Sequence, residues 1–408
     1  MNDIKYATMI PLIGGESIGI MNAMGGQLPE YVLTYEAFGA NDSHYINYLR
    51  DKKDWTGEYH VIDGKDAVIP NLEESVDFVN SVCPCAGLSG LSASSHADSA
   101  TNDWMYTSSE YVLEHVKPKV LWGENAPALA TNKGRKVANA LKDIGTKYGY
   151  SFLLIKTSSR LHGNPQKRAR TFYFFFKEDY VPHLNIPTRD TKSYSELISE
   201  VTIDSDDPMS MLIHAKADKP TDDPYLKYLL HAHQMSYPDY CKSVNDTETV
   251  LALIEETPGG FPAASEWLAA NDYEKQSKRC AAIQKKLDDD KNYWAYSTTI
   301  MGHFTGAFVG AAPQAWTHPT EDRYLTYREG LHIMGMPDDF ELLNPKKNTN
   351  HICQNVPVNT AEDMTHGILD YLKGKYDNTT SDYVVHDLHN NKSESRTVIP
   401  APQVSEFF

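Results

Sequence analysis

Short apolar runs alternate with amphipathic segments through the first half of the chain. Seven runs have the length and the β-branched and aromatic content of buried strands, at residues 6–13, 31–37, 59–62, 76–82, 119–125, 151–157 and 171–176. Between them, apolar residues recur at helical spacing, notably at residues 106–116 and 132–149. This alternation predicts an α/β fold with a mostly parallel, doubly wound sheet. Such a sheet binds ligands beyond the carboxyl ends of its strands.

A different pattern begins after residue 182, where the chain becomes acidic, rich in proline and less regular up to residue 318. One long helical segment, residues 273–291, interrupts it. We therefore predict a catalytic domain at residues 1–182 and a second domain at residues 183–318. Helical patterns near residues 326–335 and 360–376 predict a return to the first domain over residues 319–377, followed by a polar tail at residues 378–408.

The formal charge of −17 disfavours a protein that coats nucleic acid nonspecifically, because neutralising phosphates needs surface lysine and arginine. Residues 156–190 nevertheless contain seven basic and three acidic side chains. We call this segment the basic stretch, and it predicts a local basic face on an acidic protein.

Five cysteines are too few and too scattered for a disulfide framework, which favours a reducing compartment. The N-terminus lacks the pattern of a signal peptide, and no apolar stretch is long enough to cross a membrane. These features predict a cytoplasmic protein without a membrane partner. No cysteine and histidine spacing indicates a metal site.

The first apolar run leads into IGGESIGIMNAMGG, with glycines at positions 14, 15 and 19. Glycines in this place let the backbone turn tightly and approach a nucleotide-like ligand at the start of a helix. The spacing is not the dinucleotide fingerprint, so a plain structural turn stays open. Glu36 ends the second predicted strand, where an acid can bind both ribose hydroxyls or can simply be a surface residue.

The segment SVCPCAGLSG contains Cys83 and Cys85. A free cysteine is most often a small buried apolar residue, and a metal site would need further ligands at suitable spacing. Cys85, however, ends a predicted strand and opens a loop rich in serine and glycine. This position favours an exposed thiolate beneath a moving lid.

Polar residues also end the later predicted strands. Glu124 follows the apolar run of residues 119–123 and can act as an acid or as a hydrogen-bond partner of a substrate. Gln166, Arg168 and Arg170 occupy alternate positions, so in an extended chain all three project from one face. Two guanidinium groups aimed at one crevice would clamp an anion, although the pair could also be solubilising charge.

In this order the segments resemble the DNA cytosine-5 methyltransferase family, over most of the chain outside the central domain. Pro84-Cys85, with Ser89 four residues later, is similar to the catalytic Pro-Cys motif, and Glu124-Asn125 to the Glu-Asn motif. Gln166-x-Arg168-x-Arg170 resembles the Gln-x-Arg-x-Arg motif. The glycines with Met24-Gly25 resemble the first motif of the family. Glu36 resembles the family's ribose-binding acid, and Asp63 resembles the acid near adenine. Residues 323–340 resemble the ninth motif, and residues 354–361, which include Asn355, resemble the tenth.

The resemblance implies a Rossmann-like S-adenosylmethionine methyltransferase domain with a smaller, irregular target-recognition domain. It implies a monomer that methylates C5 of a cytosine flipped out of double-stranded DNA. Cys85 would add to C6, Glu124 would hydrogen-bond the base, and Arg168 and Arg170 would hold the base and the loop. S-adenosylmethionine would be bound by Gly14, Gly15, Gly19, Glu36, Asp63, Pro84 and Asn355, with Ser89 and Gln166 supporting the substrate and the loop.

Several residues differ from those that are usual at the same positions in the family. Ile10 and Leu12 stand where the first motif has an aromatic residue and a glycine, and Ala86 follows the Pro-Cys pair where glutamine is common. Ala126 replaces a valine and Gln354 a glycine. A homologue that binds DNA or cofactor but has lost catalysis is therefore a second hypothesis. The same scaffold acting on RNA, or making another C5 modification, is a third. Restriction-modification, host defence and viral genome protection all remain open as the biological setting.

Overall fold

The computed structural model describes residues 4–38, 43–64, 67–84, 87–89, 96–213, 219–246, 248–293, 295, 299–300, 305–307 and 316–396. The strands are β1 (Tyr6–Met9), β2 (Tyr31–Tyr35), β3 (Glu58–Ile62), β4 (Phe78–Val82), β5 (Val120–Asn125), β6 (Ser151–Ser158), β7 (Gln166–Lys167), β8 (Ala169–Phe176), β9 (Glu248–Thr249), β10 (Thr299–Ile300), β11 (Thr305–Gly306), β12 (Tyr383–Asp387) and β13 (Lys392–Ser395). The helices are α1 (Gly15–Ala23), α2 (His44–Lys53), α3 (Asp103–Tyr111), α4 (Arg135–Lys147), α5 (Tyr194–Ser199), α6 (Pro224–His233), α7 (Tyr237–Ser243), α8 (Val250–Glu256), α9 (Gly260–Ala270), α10 (Glu274–Asp288), α11 (Tyr327–Ile333), α12 (Pro345–Gln354) and α13 (Val358–Leu372).

One sheet contains nine strands in the order β13-β12-β6-β8-β5-β4-β1-β2-β3. Strands β5, β4, β1, β2 and β3 run parallel to one another, and β8 runs antiparallel to β5 and β6. All seven apolar runs predicted as strands lie in this sheet, so the α/β prediction is confirmed. The first run is a strand only as far as Met9, because the chain turns directly after it.

Both faces of the central strands of this sheet are buried, which explains why these strands are mostly apolar. Leu121 and Phe175 belong to the core on one face, and Trp122 and Phe174 to the core on the other. Helix α1 lies on the second face and packs closely against α13. The helix of residues 132–149 begins as a 3₁₀ turn, continues as α4 and is followed by Gly149 in a left-handed conformation, as its spacing predicts.

Two compact units divide the chain. The first unit comprises Met1–Gly163, Ala169–Asp190 and Val356–Phe408, and the second comprises Asn164–Arg168 and Thr191–Asn355. The predicted second domain ended at residue 318, whereas residues 319–355 remain in the second unit. The helix predicted near residues 326–335 is present as α11. Apolar periodicity predicts a helix but does not show which hydrophobic core the helix packs into.

The predicted polar tail needs a correction. Residues 383–387 form β12, which runs parallel to β6, and β13 pairs antiparallel with β12 at the edge of the sheet. Strand β13 has the sequence KSES and is exposed throughout. A polar, exposed edge strand carries no apolar pattern, so its sequence resembles that of a tail.

The second unit is largely helical where it is described. Helices α6 to α10 enclose a separate apolar core that includes Leu229, Ile254 and Leu268. Asp223 caps α6 by accepting a hydrogen bond from the Tyr225 amide at 2.8 Å. Among the described helices of the whole chain, none is long and apolar enough to cross a membrane.

Candidate active site

A tight turn joins β1 to α1 at the carboxyl edge of the sheet. Ile10 (φ 53°), Leu12 (φ 50°) and Gly14 (φ 98°) all have positive φ. Only glycine adopts this region freely, so Ile10 and Leu12 each store roughly 1–2 kcal/mol of strain. A Cβ atom at Gly14 would lie 2.4 Å from the Tyr45 ring, so this position requires glycine for space as well as for conformation. The turn holds the first backbone amides of α1 at the strand ends.

The other glycines of the first motif have different surroundings. Gly15 begins α1 directly after the turn. Gly19 faces α13, and a Cβ atom there would lie 2.6 Å from the Val358 carbonyl oxygen. Gly19 therefore permits the close contact of α1 with α13, which is a packing role that sequence reasoning did not anticipate.

Glu36 and Asp63 stand next to each other at the same edge of the sheet. They directly follow Tyr35 and Ile62, which are register partners in the parallel pair β2–β3. Both acids are exposed. Two accessible carboxylates on neighbouring strand ends, beside the α1 turn, have the chemistry to accept hydrogen bonds from ribose hydroxyls and an exocyclic amine.

Strand β4 leads toward the predicted nucleophile. Cys85 and Ala86 lie outside the described residues, whereas Pro84 and Ser89 are described and half-buried. Cys83 is buried, its Sγ lies 3.1 Å from the Ser108 Oγ, and burial raises the pKa of its thiol. A buried thiol with a raised pKa is unreactive at neutral pH. Cys83 is therefore a packing residue, as the sequence indicates.

Glu124 and Arg170 form an ion pair at the ends of two neighbouring strands. The Arg170 Nε contacts the Glu124 Oε1, and the carboxylate is almost completely buried. Glu124 on β5 is in register with Val82 on β4, three residues before Cys85. Since β8 is antiparallel to β5, the start of β8 lies beside the end of β5, which brings Arg170 to Glu124.

Gln166 and Arg168 have other partners, within the second unit. Arg168 is fully buried and donates hydrogen bonds to the carbonyl oxygens of Cys353 at 2.5 Å and Asn355 at 2.9 Å. The Gln166 side-chain amide donates to the Met334 sulfur at 3.0 Å. Asn355 follows the end of α12, so Arg168 ties the Gln-x-Arg-x-Arg segment to the tenth-motif segment.

A residue that the sequence analysis did not single out also belongs to this site. Glu16, the second residue of α1, is 1% exposed. Burial and the nearby charge of Glu124 raise its pKa well above the ordinary value, while the Asn80 amide acts in the opposite direction. An acid in the first helical turn usually faces solvent and favours the helix dipole, so only its place inside a glycine-rich loop could have drawn attention to it.

The basic stretch does not form a free cationic face. Lys156 pairs with Asp387 at 2.9 Å, Lys177 with Glu74 at 2.7 Å, and Lys167 with Asp246. Arg189 pairs with Asp363 and Glu362, while Arg168 and Arg170 have the partners given above. Acids of the same chain, several of them at the surface, thus neutralise most of the predicted basic face. Within the described ranges, no group of three or more potential ligands is arranged to hold a metal ion.

Comparisons with known proteins bear on the same segments. A family model described as C-5 cytosine-specific DNA methylase matches residues 5–370. No curated protein matches the chain. Among solved structures, a DNA modification methyltransferase encoded within a prophage of E. coli has a TM-score of 0.56 at 15% identity, covering 91% of this chain and 100% of that one. The methyltransferase EhMeth of Entamoeba histolytica has a TM-score of 0.52 at 13% identity, covering 91% and 99%. At such identities the likeness shows a shared fold.

Proposed function

The chain belongs to the C-5 cytosine-specific DNA methylase family, and we propose that it transfers a methyl group from S-adenosylmethionine to C5 of a cytosine in double-stranded DNA. The observation that carries this proposal is the ion pair between the buried Glu124 carboxylate and the half-buried Arg170, next to the strand that leads to Cys85. In this proposal Glu124 is the base-binding acid, Arg170 is the cation that orients it, and Cys85, three residues after β4 in the sequence, is the candidate nucleophile.

Glu124 is proposed to bind the Watson–Crick edge of the target base. A protonated carboxyl group donates a hydrogen bond to cytosine N3 and accepts one from the exocyclic amine, and both bonds are stronger in a buried site than in water. Arg170 would hold the Glu124 carboxylate in place before the base arrives. Such preorganised partners stabilise charge that develops on the ring during reaction.

Cys85 is proposed as the nucleophile. Its thiolate would add to cytosine C6, and the electrons displaced from the C5–C6 bond would make C5 nucleophilic. After C5 gains its methyl group, loss of the C5 proton to solvent would restore the double bond and expel the Cys85 thiolate. The base must leave the duplex for this chemistry, and the loop after Cys85 is proposed to cover it.

The residues present fit S-adenosylmethionine. The accessible carboxylates of Glu36 and Asp63 would bind the ribose and adenine, and the α1 turn would bring backbone amides to the ligand. Pro84, at the end of the β4 segment, would line the same edge. When bound, the cofactor supplies the electrophilic methyl group. Asn355 belongs to the second unit, and its proposed role in cofactor binding rests on the motif alone.

DNA is the proposed macromolecular substrate, and α10 is the proposed contact with its phosphates. Five exposed cations of α10 lie within about a third of the helix circumference: Lys275, Lys278, Arg279, Lys285 and Lys286. Lys278 pairs with Glu274 at 3.1 Å. Lys275, Lys285 and Lys286 form no ion pair in the part of the chain that the structure describes. Unpaired surface lysines are the groups that replace the counterions of DNA.

The decisive experiment compares two matched cysteine variants. Methyl transfer to duplex DNA, single-stranded DNA and RNA is measured for wild type, Cys85→Ser and Cys83→Ser, and the product base is identified by mass spectrometry. We expect 5-methylcytosine in duplex DNA, a loss of more than about 10³-fold in Cys85→Ser, and a change of only a few fold in Cys83→Ser.

Three outcomes would contradict parts of this proposal. Equal rates for Cys85→Ser and wild type would remove Cys85 as the nucleophile. Methylation of RNA alone, or a different product at C5, would replace the proposed substrate or reaction. An inactive wild type that also fails to bind the cofactor at millimolar concentration would favour the second hypothesis, in which catalysis has been lost. The prophage-encoded E. coli neighbour makes genome modification a natural setting to examine.

A further inference from the structure

A cavity of about 550 Å³ lies in the first unit at the amino ends of β4 and β5, at the edge of the sheet opposite the candidate active site. Residues of the segments 68–73 and 114–117, which precede these strands, line it together with Tyr148. Both strands run from this cavity toward the candidate site, where Pro84 and Glu124 lie at their other ends. The cavity is therefore separate from the candidate active site.

The walls of the cavity are joined by hydrogen bonds of the protein itself. Val112–Val116 forms a π-helical turn after α3, and such turns are rare and are often found at functional sites. The Glu74 amide donates to the last carbonyl oxygen of this turn at 2.7 Å, and the Ile69 amide donates to the Tyr111 hydroxyl at 3.2 Å. The cavity is thus built into the fold, as most small-molecule sites are.

The backbone of these walls is also strained. Glu74 (φ 51°) and Lys117 (φ 53°) have left-handed conformations, which are costly for side chains other than glycine, asparagine and aspartate. Such conformations are concentrated at ligand-binding and catalytic sites. The strain agrees with a binding role for the cavity, whereas the chemistry of the ligand follows from the lining side chains.

One wall of the cavity is apolar. Four consecutive or nearly consecutive residues contribute to it: Val68, Ile69, Pro70 and Leu72. Val68 is 58% exposed, which is unusual for a large apolar side chain beside a cavity. The rings of His115 and Tyr148 line the cavity as well. A ligand with an apolar or aromatic body would cover this surface.

The charged groups of the lining leave one negative charge without a cation. The Lys117 ammonium pairs with the Glu73 carboxylate at 2.5 Å. The Glu114 carboxylate accepts a hydrogen bond from the Tyr148 hydroxyl at 2.7 Å, and it forms no ion pair within the described ranges. Acids adjacent to the cavity are already engaged, in the pairs Glu74–Lys177 and Glu110–Lys147. A cationic ligand therefore complements the cavity, whereas an anionic ligand does not.

We propose that this cavity is a second ligand site, which binds an organic amine with an apolar body. The ammonium group donates to the Glu114 carboxylate, and the apolar body covers Val68 and its neighbours. A hydrogen bond between two charged groups is stronger than one between neutral groups, so the carboxylate sets the preference for an amine. This site goes beyond methyl transfer and does not depend on the proposed function.

The first test compares three ligands that differ in one functional group. Isothermal titration calorimetry of the full chain at neutral pH measures the binding of tryptamine, of the neutral alcohol tryptophol and of the anion indole-3-propionate. Tryptamine should bind about three- to tenfold more tightly than tryptophol, and indole-3-propionate should bind most weakly. Equal affinities for the three ligands, or no binding of tryptamine at millimolar concentration, would overturn the proposal.

The second test uses variants with effects of opposite sign. Glu114→Gln should weaken tryptamine binding about three- to tenfold and leave tryptophol binding nearly unchanged, because only the ammonium needs the negative charge. Lys117→Gln should strengthen tryptamine binding, because it leaves the Glu73 carboxylate without its cation. Damage to the fold would weaken binding in both variants and would not strengthen it in either.

The control variant is Glu36→Gln, which removes an exposed acid at the opposite edge of the sheet. Tryptamine should bind this variant as tightly as wild type. Loss of binding in Glu36→Gln, or unchanged binding in Glu114→Gln, would place the amine outside the cavity and overturn the proposal. Neither result bears on methyl transfer, which is measured separately.

Discussion

Arg168 and Arg170 stand two residues apart in one motif, yet they serve different parts of the molecule. Arg168 is buried in the second unit and donates to the carbonyl oxygens of Cys353 and Asn355. Arg170 lies in the first unit and pairs with the Glu124 carboxylate. The chain passes from one unit to the other between Arg168 and Ala169. Alternate positions in an extended chain predict that the two side chains project in the same direction. The role of each guanidinium, however, depends on the groups that it contacts in the folded protein.

The largest effect is expected on the Arg170 side. Arg170→Ala should lower methyl transfer by about 10²- to 10³-fold, because Glu124 loses the cation that orients it. The free energy of unfolding should fall less than in an Arg168 variant, because Arg170 is partly exposed and a buried carboxyl that loses its cation can take up a proton. Arg170→Lys keeps the charge without the planar fork and should recover part of the rate. Steady-state kinetics and chemical unfolding check both statements, and a variant that loses stability rather than rate would refute the division of roles.

Arg168→Met is the reciprocal substitution. It should lower the free energy of unfolding by roughly 3 kcal/mol, because two buried carbonyl groups lose charged donors. Well below its melting temperature, the folded variant should retain more activity than Arg170→Ala. Thermal melts and rates at low temperature measure the two effects separately. Near-normal stability combined with inactivity would place Arg168 in the chemistry instead.

The smallest effect is expected for surface lysines, some of which pair with acids of the same chain and some of which do not. Neutralising Lys285 and Lys286 on α10 with glutamine should weaken DNA binding about tenfold and reduce the salt dependence by roughly two counterions. The matched control neutralises Lys156 and Lys177, whose charges are paired with Asp387 and Glu74, and should leave the salt dependence unchanged. Affinity titrations at several salt concentrations make the comparison, and equal slopes for both double variants would exclude α10 as the phosphate contact.

Much of the first unit could be predicted from sequence because both faces of its sheet are buried. Strand β8 is apolar and buried from Phe172 to Phe176, and that pattern needs no knowledge of its neighbours. The polar edge strand β13 has no such pattern, and the unit boundary at Asn355 depends on which core α12 joins. In the candidate site, the order of the motifs was enough to predict Glu124 and Arg170 as site residues. Their ion pair could not be predicted, because it depends on the register of β5 with β8.

The sequence by itself determined the chemistry available to this protein: the family, the strands of its sheet, and the side chains that end them. Tertiary structure decided the state and partner of each charged group. It separated Arg168 from Arg170, paired the lysines of the basic stretch with acids distant in sequence, and buried Glu16 at the start of α1. The reason is that apolar periodicity is a local property, whereas the ionisation and hydrogen bonding of a side chain depend on atoms that only folding brings near.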